Sequence, residues 1–139
     1  MKRVVFLFLI ILGFLSQGKS APCDTIDFYW IYYNDTVWVK LNQNMYGYQL
    51  KIDKINIKRN DSISIKYGTD TPGEDRWNSI QLEDDKHTLL KENIGKGDWS
   101  RISFSVNELI KIATICQIKT LYFYYNNDNR RLLFQLKLE

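Results

Sequence analysis

Histidine is nearly absent: His87 is the only one in 139 residues, while cysteine and proline occur twice each. A single imidazole cannot build a paired-histidine metal site, and no Cys-x-x-Cys pair exists to offer zinc two thiolates. A Ser-His-Asp mechanism would rest on His87 alone, which sits in a charged stretch that reads as an exposed loop. Asp70, Glu74, Asp75, Glu83, Asp84 and Asp85 offer hard oxygen ligands for calcium, but their spacing matches no EF-hand. Adjacent acids also fail to supply the two distinct environments that a glycosidase pair requires. No catalytic residue, metal or cofactor is therefore expected.

Long apolar runs are equally scarce, and the one present lies at the start. Lys2 and Arg3 precede the apolar stretch Val4–Leu15, followed by the small and polar residues Ser16–Ser20. A dozen apolar residues fall short of the roughly 20 that a membrane helix needs. Residues 1–20 therefore read as a secretory signal peptide cut after Ser20, leaving 21–139 as one extracellular domain with no membrane span. An uncleaved anchor is the alternative.

Nor is there a charge excess in that remainder. The chain carries 19 basic and 16 acidic residues, and Lys2, Arg3 and Lys19 leave with the leader, so the mature charge is balanced. The electrostatic footprint of a nucleic-acid binder is missing. Cys23 and Cys116 enter an oxidising compartment as an even pair, which suggests one disulfide; two free buried thiols are the alternative.

What the chain does have is β-pattern and aromatic surface. Ile26–Tyr33, Thr36–Leu41, Tyr48–Ile52 running on to Ile57, and Ile63–Tyr67 alternate or run apolar between Asn/Asp turns. Trp77–Leu82 reads as a short strand between irregular loops, and Gly95–Asp98 as a glycine-bearing loop. Beyond Trp99, Ile102 and Phe104 share a strand face, and Leu121, Phe123 and Tyr125 another. Leu132, Phe134, Leu136 and Leu138 alternate in the final strand. Ser105 with Glu108 three residues on has the form of a capping box, opening one short helix before Cys116. These elements predict a mostly β fold, an antiparallel β-sandwich or jelly roll with one short helix.

Two N-x-[ST] sequons, at Asn34 and Asn60, fall in predicted turns of an exported chain and are candidate N-glycosylation sites. In a cell that does not glycosylate they are turn residues. Trp38, Tyr122 and Tyr124 lie out of phase with the apolar residues beside them, and Trp77 stands next to Arg76 in the irregular region. Aromatic rings off the core face suit sugars or protein partners. Those four are the candidate ligand contacts.

The segment WSRISFSVNELIKIATICQIKTLYFYYNNDNRRLLFQLKL, residues 99–138, resembles the closing half of jelly-roll carbohydrate-binding modules of the galactose-binding-like group. The likeness lies in a Trp-led strand, a V-x-x-L turn, an I-x-x-L-x-F strand and a terminal hairpin. It implies a β-sandwich that binds glycans without cleaving them. The function expected is thus a secreted, non-catalytic glycan-binding domain, or else a recognition or effector domain for an extracellular protein.

Overall fold

The computed structural model describes residues 26–45, 47–70, 76–126 and 130–139. The leader, its cleavage point and Cys23 lie outside them. Among the described residues, nine strands form two sheets. They are β1 (Asp27–Tyr33), β2 (Thr36–Asn42), β3 (Gln49–Ile52), β4 (Ser62–Thr69), β5 (Trp77–Glu83), β6 (Leu89–Lys96), β7 (Arg101–Ser105), β8 (Thr120–Asn126) and β9 (Arg131–Leu138), with helix α1 (Val106–Ile115) between β7 and β8. The first sheet has the order β2-β1-β4-β7 and the second β3-β9-β8-β5-β6. The expected β-sandwich with one short helix is what forms.

The sheets meet through residues of alternating phase. Tyr67 of β4 stacks on Tyr125 of β8 with centroids 3.6 Å apart, and Phe104 of β7 meets Phe123 of β8 edge-on at 5.3 Å. Tyr29 is buried too, and its hydroxyl donates to the Leu133 carbonyl across the layers at 2.8 Å. A buried phenol needs such a partner, because an unmade hydrogen bond would cost about 1–3 kcal/mol.

Several sequence expectations are corrected. The Ile63–Tyr67 strand does not pair with the strand before it in sequence, as the turn between them would suggest: β3 pairs parallel with β9, while β4 lies between β1 and β7 in the other sheet. A 3-10 turn, Lys54–Asn56, makes that crossing and leaves Ile55 90% exposed instead of in a strand face. Strand β6, LLKENIGK, takes in Gly95 and Lys96, which read as loop; its Glu and Asn blur any two-residue period. A bulge in the β8–β9 pair between Phe123 and Tyr124 shifts the phase of β9, so Leu133 is buried where Leu132 was expected. At the helix start, Ser105 makes no side-chain cap and Glu108 pairs with Lys91. The free Val106 N–H donates instead to the Asp61 carbonyl at 2.9 Å. No helix among the described residues is long and apolar enough to cross a membrane.

Candidate functional site

The structure separates the four aromatic candidates. Trp38 stands on β2, an edge strand of the first sheet, where a bulge in the β1–β2 pair between Ile31 and Tyr32 leaves both Val37 and Trp38 exposed. Trp77 opens β5 in the second sheet and is 63% exposed. Tyr122 pairs with Glu83 at the far end of β5, six residues from Trp77, or roughly 20 Å along the strand. Tyr124 does not face solvent. It is 8% exposed, the Arg130 guanidinium lies 4.0 Å over its ring, and its hydroxyl is 3.4 Å from His87 Nδ1. Burial raises its phenol pKa above the usual value. A continuous four-ring platform is therefore not formed.

Trp38 belongs to a different assembly. A cleft of about 440 Å³ opens between the β1–β2 hairpin and the end of β3, lined by Trp38, Tyr33, Val37, Lys51, Asp53 and Asn56. The Tyr33 and Trp38 rings meet edge to face at 5.4 Å and 70°. Around them stand an ammonium, a carboxylate and an amide. Asp53 is held in place: its Oδ1 accepts the Ile55 N–H and its Oδ2 the Asn56 side-chain amide, each at 3.0 Å.

The cleft wall is fixed from behind by Asp61. The Tyr33 hydroxyl donates to Asp61 Oδ2 at 2.6 Å, the Asn34 side-chain amide to Oδ1 at 3.0 Å, and the Lys58 N–H to Oδ2 at 2.8 Å. The Asn34 side-chain carbonyl in turn accepts the Ser62 N–H at 2.9 Å. The Tyr33 bond, then the Lys58 and Asn34 bonds, hold the Asp61 carboxyl below its ordinary pKa. Burial and the same carboxylate push Tyr33 up to about 12. Asn34, with φ 53 and both polar side-chain atoms bonded, serves as a turn residue whose amide is engaged. Asn60 is exposed in the turn preceding Asp61. Both sequons border a polar hollow of about 580 Å³ on the same end of the molecule.

The other sequence candidates fall elsewhere. Cys116 is exposed at the C-terminal end of α1, and its expected partner Cys23 is outside the described residues. Glu83 is buried beneath Arg130 and 3.5 Å from His87. Asp84 Oδ1 closes its own turn by accepting the Lys86 and Thr88 N–H groups, which lowers its pKa. Glu74 and Asp75 are outside the described residues. Among the described residues no three His, Cys, Asp or Glu side chains gather as a metal site.

Sequence reasoning missed a second aromatic surface, on the outer face of the first sheet. Trp30 and Tyr32 alternate on this face along β1, Tyr32 buried beneath Lys66 and Arg101 and Trp30 half-buried, and Trp99 meets Trp30 edge-on at 5.5 Å. The run IDFYWIYY hides this phase because nearly every position is apolar or aromatic. Trp99 holds φ 63, rare for a bulky residue. Its indole covers Gly68 so closely that a Cβ there would fall 2.2 Å from Cε2. The chain matches no protein-family model, no curated protein and no solved structure.

Proposed function

We propose that this protein is a secreted, non-catalytic binding domain and that it holds a saccharide in the cleft at Trp38. The observation carrying this reading is the pairing of two aromatic rings, one fixed by the Asp61 bonds, with Lys51, Asp53 and Asn56 around one opening. A pyranose presents an apolar face of C–H bonds and a rim of hydroxyls. An indole takes the first, and amide, carboxylate and ammonium groups take the second. Pre-fixed rings also lower the ordering cost of binding. The signal-like leader, the Cys23/Cys116 pair and the two sequons support an extracellular setting, and the resemblance of residues 99–138 to carbohydrate-binding modules points to the same ligand class.

Binding to a glycan array and to immobilised polysaccharides tests it. Trp38→Ala abolishes retention with the circular-dichroism spectrum unchanged, whereas Trp77→Ala, in the other sheet, leaves it intact. Absence of binding to any glycan at millimolar ligand, or loss only with Trp77→Ala, overturns the assignment. One feature favours the second reading, an extracellular protein partner: Ile55 projects into solvent from the turn that supplies Asp53 and Asn56. An Ile55→Ser variant that loses a captured protein but keeps sugar binding separates the two.

A further inference from the structure

Strand register sets one row of side chains straight across the outer face of the first sheet. Lys40 of β2 lies opposite Trp30 of β1, Trp30 opposite Lys66 of β4, and Lys66 opposite Arg101 of β7. Adjacent strands lie about 4.8 Å apart, so the three cations span roughly 14 Å. Their heads are held over rings. Lys40 Nζ sits 4.2 Å from the Trp30 centroid, Lys66 Nζ 5.6 Å and Arg101 Cζ 4.7 Å from that of Tyr32.

This row runs against an ordinary rule of sheet design, in which like charges directly opposite are unfavourable and opposite charges are paired. The only carboxylate in the four strands is Asp27, which pairs with Arg131 of the other sheet. Arg101 finds Asp35 in the β1–β2 turn, at 3.0 Å. Beyond it the face opens into the polar hollow that carries Lys58 and Arg59, where Asp61 is already occupied by Tyr33, Asn34 and the Lys58 N–H. Among the described residues, Lys40 and Lys66 thus have no carboxylate of the four strands to pair with, since Asp27 is taken by Arg131, and their charge is open to an anion from outside.

We propose that this face binds a linear sulfated polysaccharide, laid across the strands along Lys40, Trp30, Lys66 and Arg101. Fixed ammonium and guanidinium groups suit sulfates, and the exposed Ser103 hydroxyl, bonded to the buried Ser64 hydroxyl at 2.8 Å, suits a sugar oxygen. A nucleic acid fits less well: base stacking needs free ring faces, and those of Trp30 and Tyr32 already carry cations. The site is separate from the Trp38 cleft and does not rest on it.

The test is affinity for heparin and for dextran sulfate, with unsulfated dextran and a single-stranded oligonucleotide as comparators, across a salt series. The protein binds both sulfated chains, ignores dextran, binds the oligonucleotide at least about tenfold more weakly, and elutes earlier as salt screens the contacts. Lys40→Gln with Lys66→Gln weakens heparin binding about tenfold or more. Lys91→Gln with Lys137→Gln, on the second sheet where the lysines pair with Glu108 and Glu139, changes it less than twofold. Failure to bind heparin at low salt, equal losses from the two lysine pairs, or equal affinity for the oligonucleotide overturns the proposal.

Discussion

The two outer faces of the sandwich handle charge in opposite ways. On the five-stranded sheet each charged group has a partner within the chain: Glu92 accepts from Ser79 and Gln81, Glu83 takes Arg130 and His87, and Glu139 takes Lys51 and Lys137. On the four-stranded sheet, Lys40 and Lys66 lie over indole and phenol with no carboxylate paired to them among the described residues, and Arg101, over the same phenol, has only Asp35 of the β1–β2 turn. The first arrangement completes its own electrostatics. The second uses ring quadrupoles to hold charge in place without neutralising it. A surface of that kind remains attractive to anions while costing little order on binding, which is why it, and not the more exposed Trp77, marks the unusual face.

The sharpest way to break the contrast is to disturb the ring that closes it. Gly68→Ala puts a methyl group where the Trp99 indole lies, and the pairing of Gly68 with Phe28 of β1 holds its backbone in place. Trp99 must leave Trp30. Overpacking of this kind costs about 1–3 kcal/mol, and the upper part of that range is expected because an entire indole is displaced. Chemical denaturation measures the loss, and tryptophan fluorescence reports the displaced ring. An unchanged emission spectrum would show that Trp99 does not pack there.

The other face responds to loss of charge. Glu83 is buried, and Glu83→Gln removes the carboxylate that Arg130 and His87 face. A hydrogen bond to a charged group contributes about 1.5–3 kcal/mol. Arg130 is 43% exposed and can turn to water, so a loss of about 1–1.5 kcal/mol is expected. Denaturant titration reads it, and a loss below measurement would mean that the second sheet does not depend on self-pairing.

At the end of the molecule where the two sheets share a cleft, the contrast becomes one of pH. Asp61 has a depressed pKa, so its contribution is present above the unfolded carboxylate range and disappears as pH falls through the folded value. Tyr33→Phe removes the largest cause of that depression, and acid unfolding then begins at higher pH. For Tyr33 the sign is reversed. Raised to about 12, its phenol stabilises the fold below the usual value of 10.0, and that contribution fades as pH rises through about 12. Circular dichroism against pH checks both limbs for the wild type and the variant; coincident acid limbs would remove the hydroxyl from the clamp.

Much of this architecture was legible because alternation is local, while pairing is not. Ile63, Ile65 and Tyr67 announce a strand in any context, yet nothing in them says that β4 lies beside β1 instead of β3. The capping pattern at Ser105 and Glu108 located the helix for a reason the structure does not use, since Glu108 is drawn to Lys91 of a strand the sequence concealed. Among the site residues, Trp38 was visible as an aromatic out of phase with its neighbours. Tyr124 carried the same signal, but bulk from Arg130 and His87 covers it. The cation row was out of reach for a different reason. Lys40, Lys66 and Arg101 are far apart in sequence and become a row only through three strand registers.

That row also supplies the smallest effect and the one most specific to the comparison. Lys66 and Arg101 face each other across β4 and β7, and Asp35 is bonded to Arg101 alone, so Lys66→Glu replaces a like pair by an opposite pair. Cross-strand pairs of this kind differ by about 0.2–1 kcal/mol, and the side chains are partly hydrated, so a gain of a few tenths is expected. The same substitution removes a sulfate contact, so stability and heparin affinity should move in opposite directions. Denaturation midpoints read beside heparin elution decide it. Were stability to fall along with binding, Lys66 would belong to the fold's own support, and the four-stranded face would be no less self-sufficient than the other.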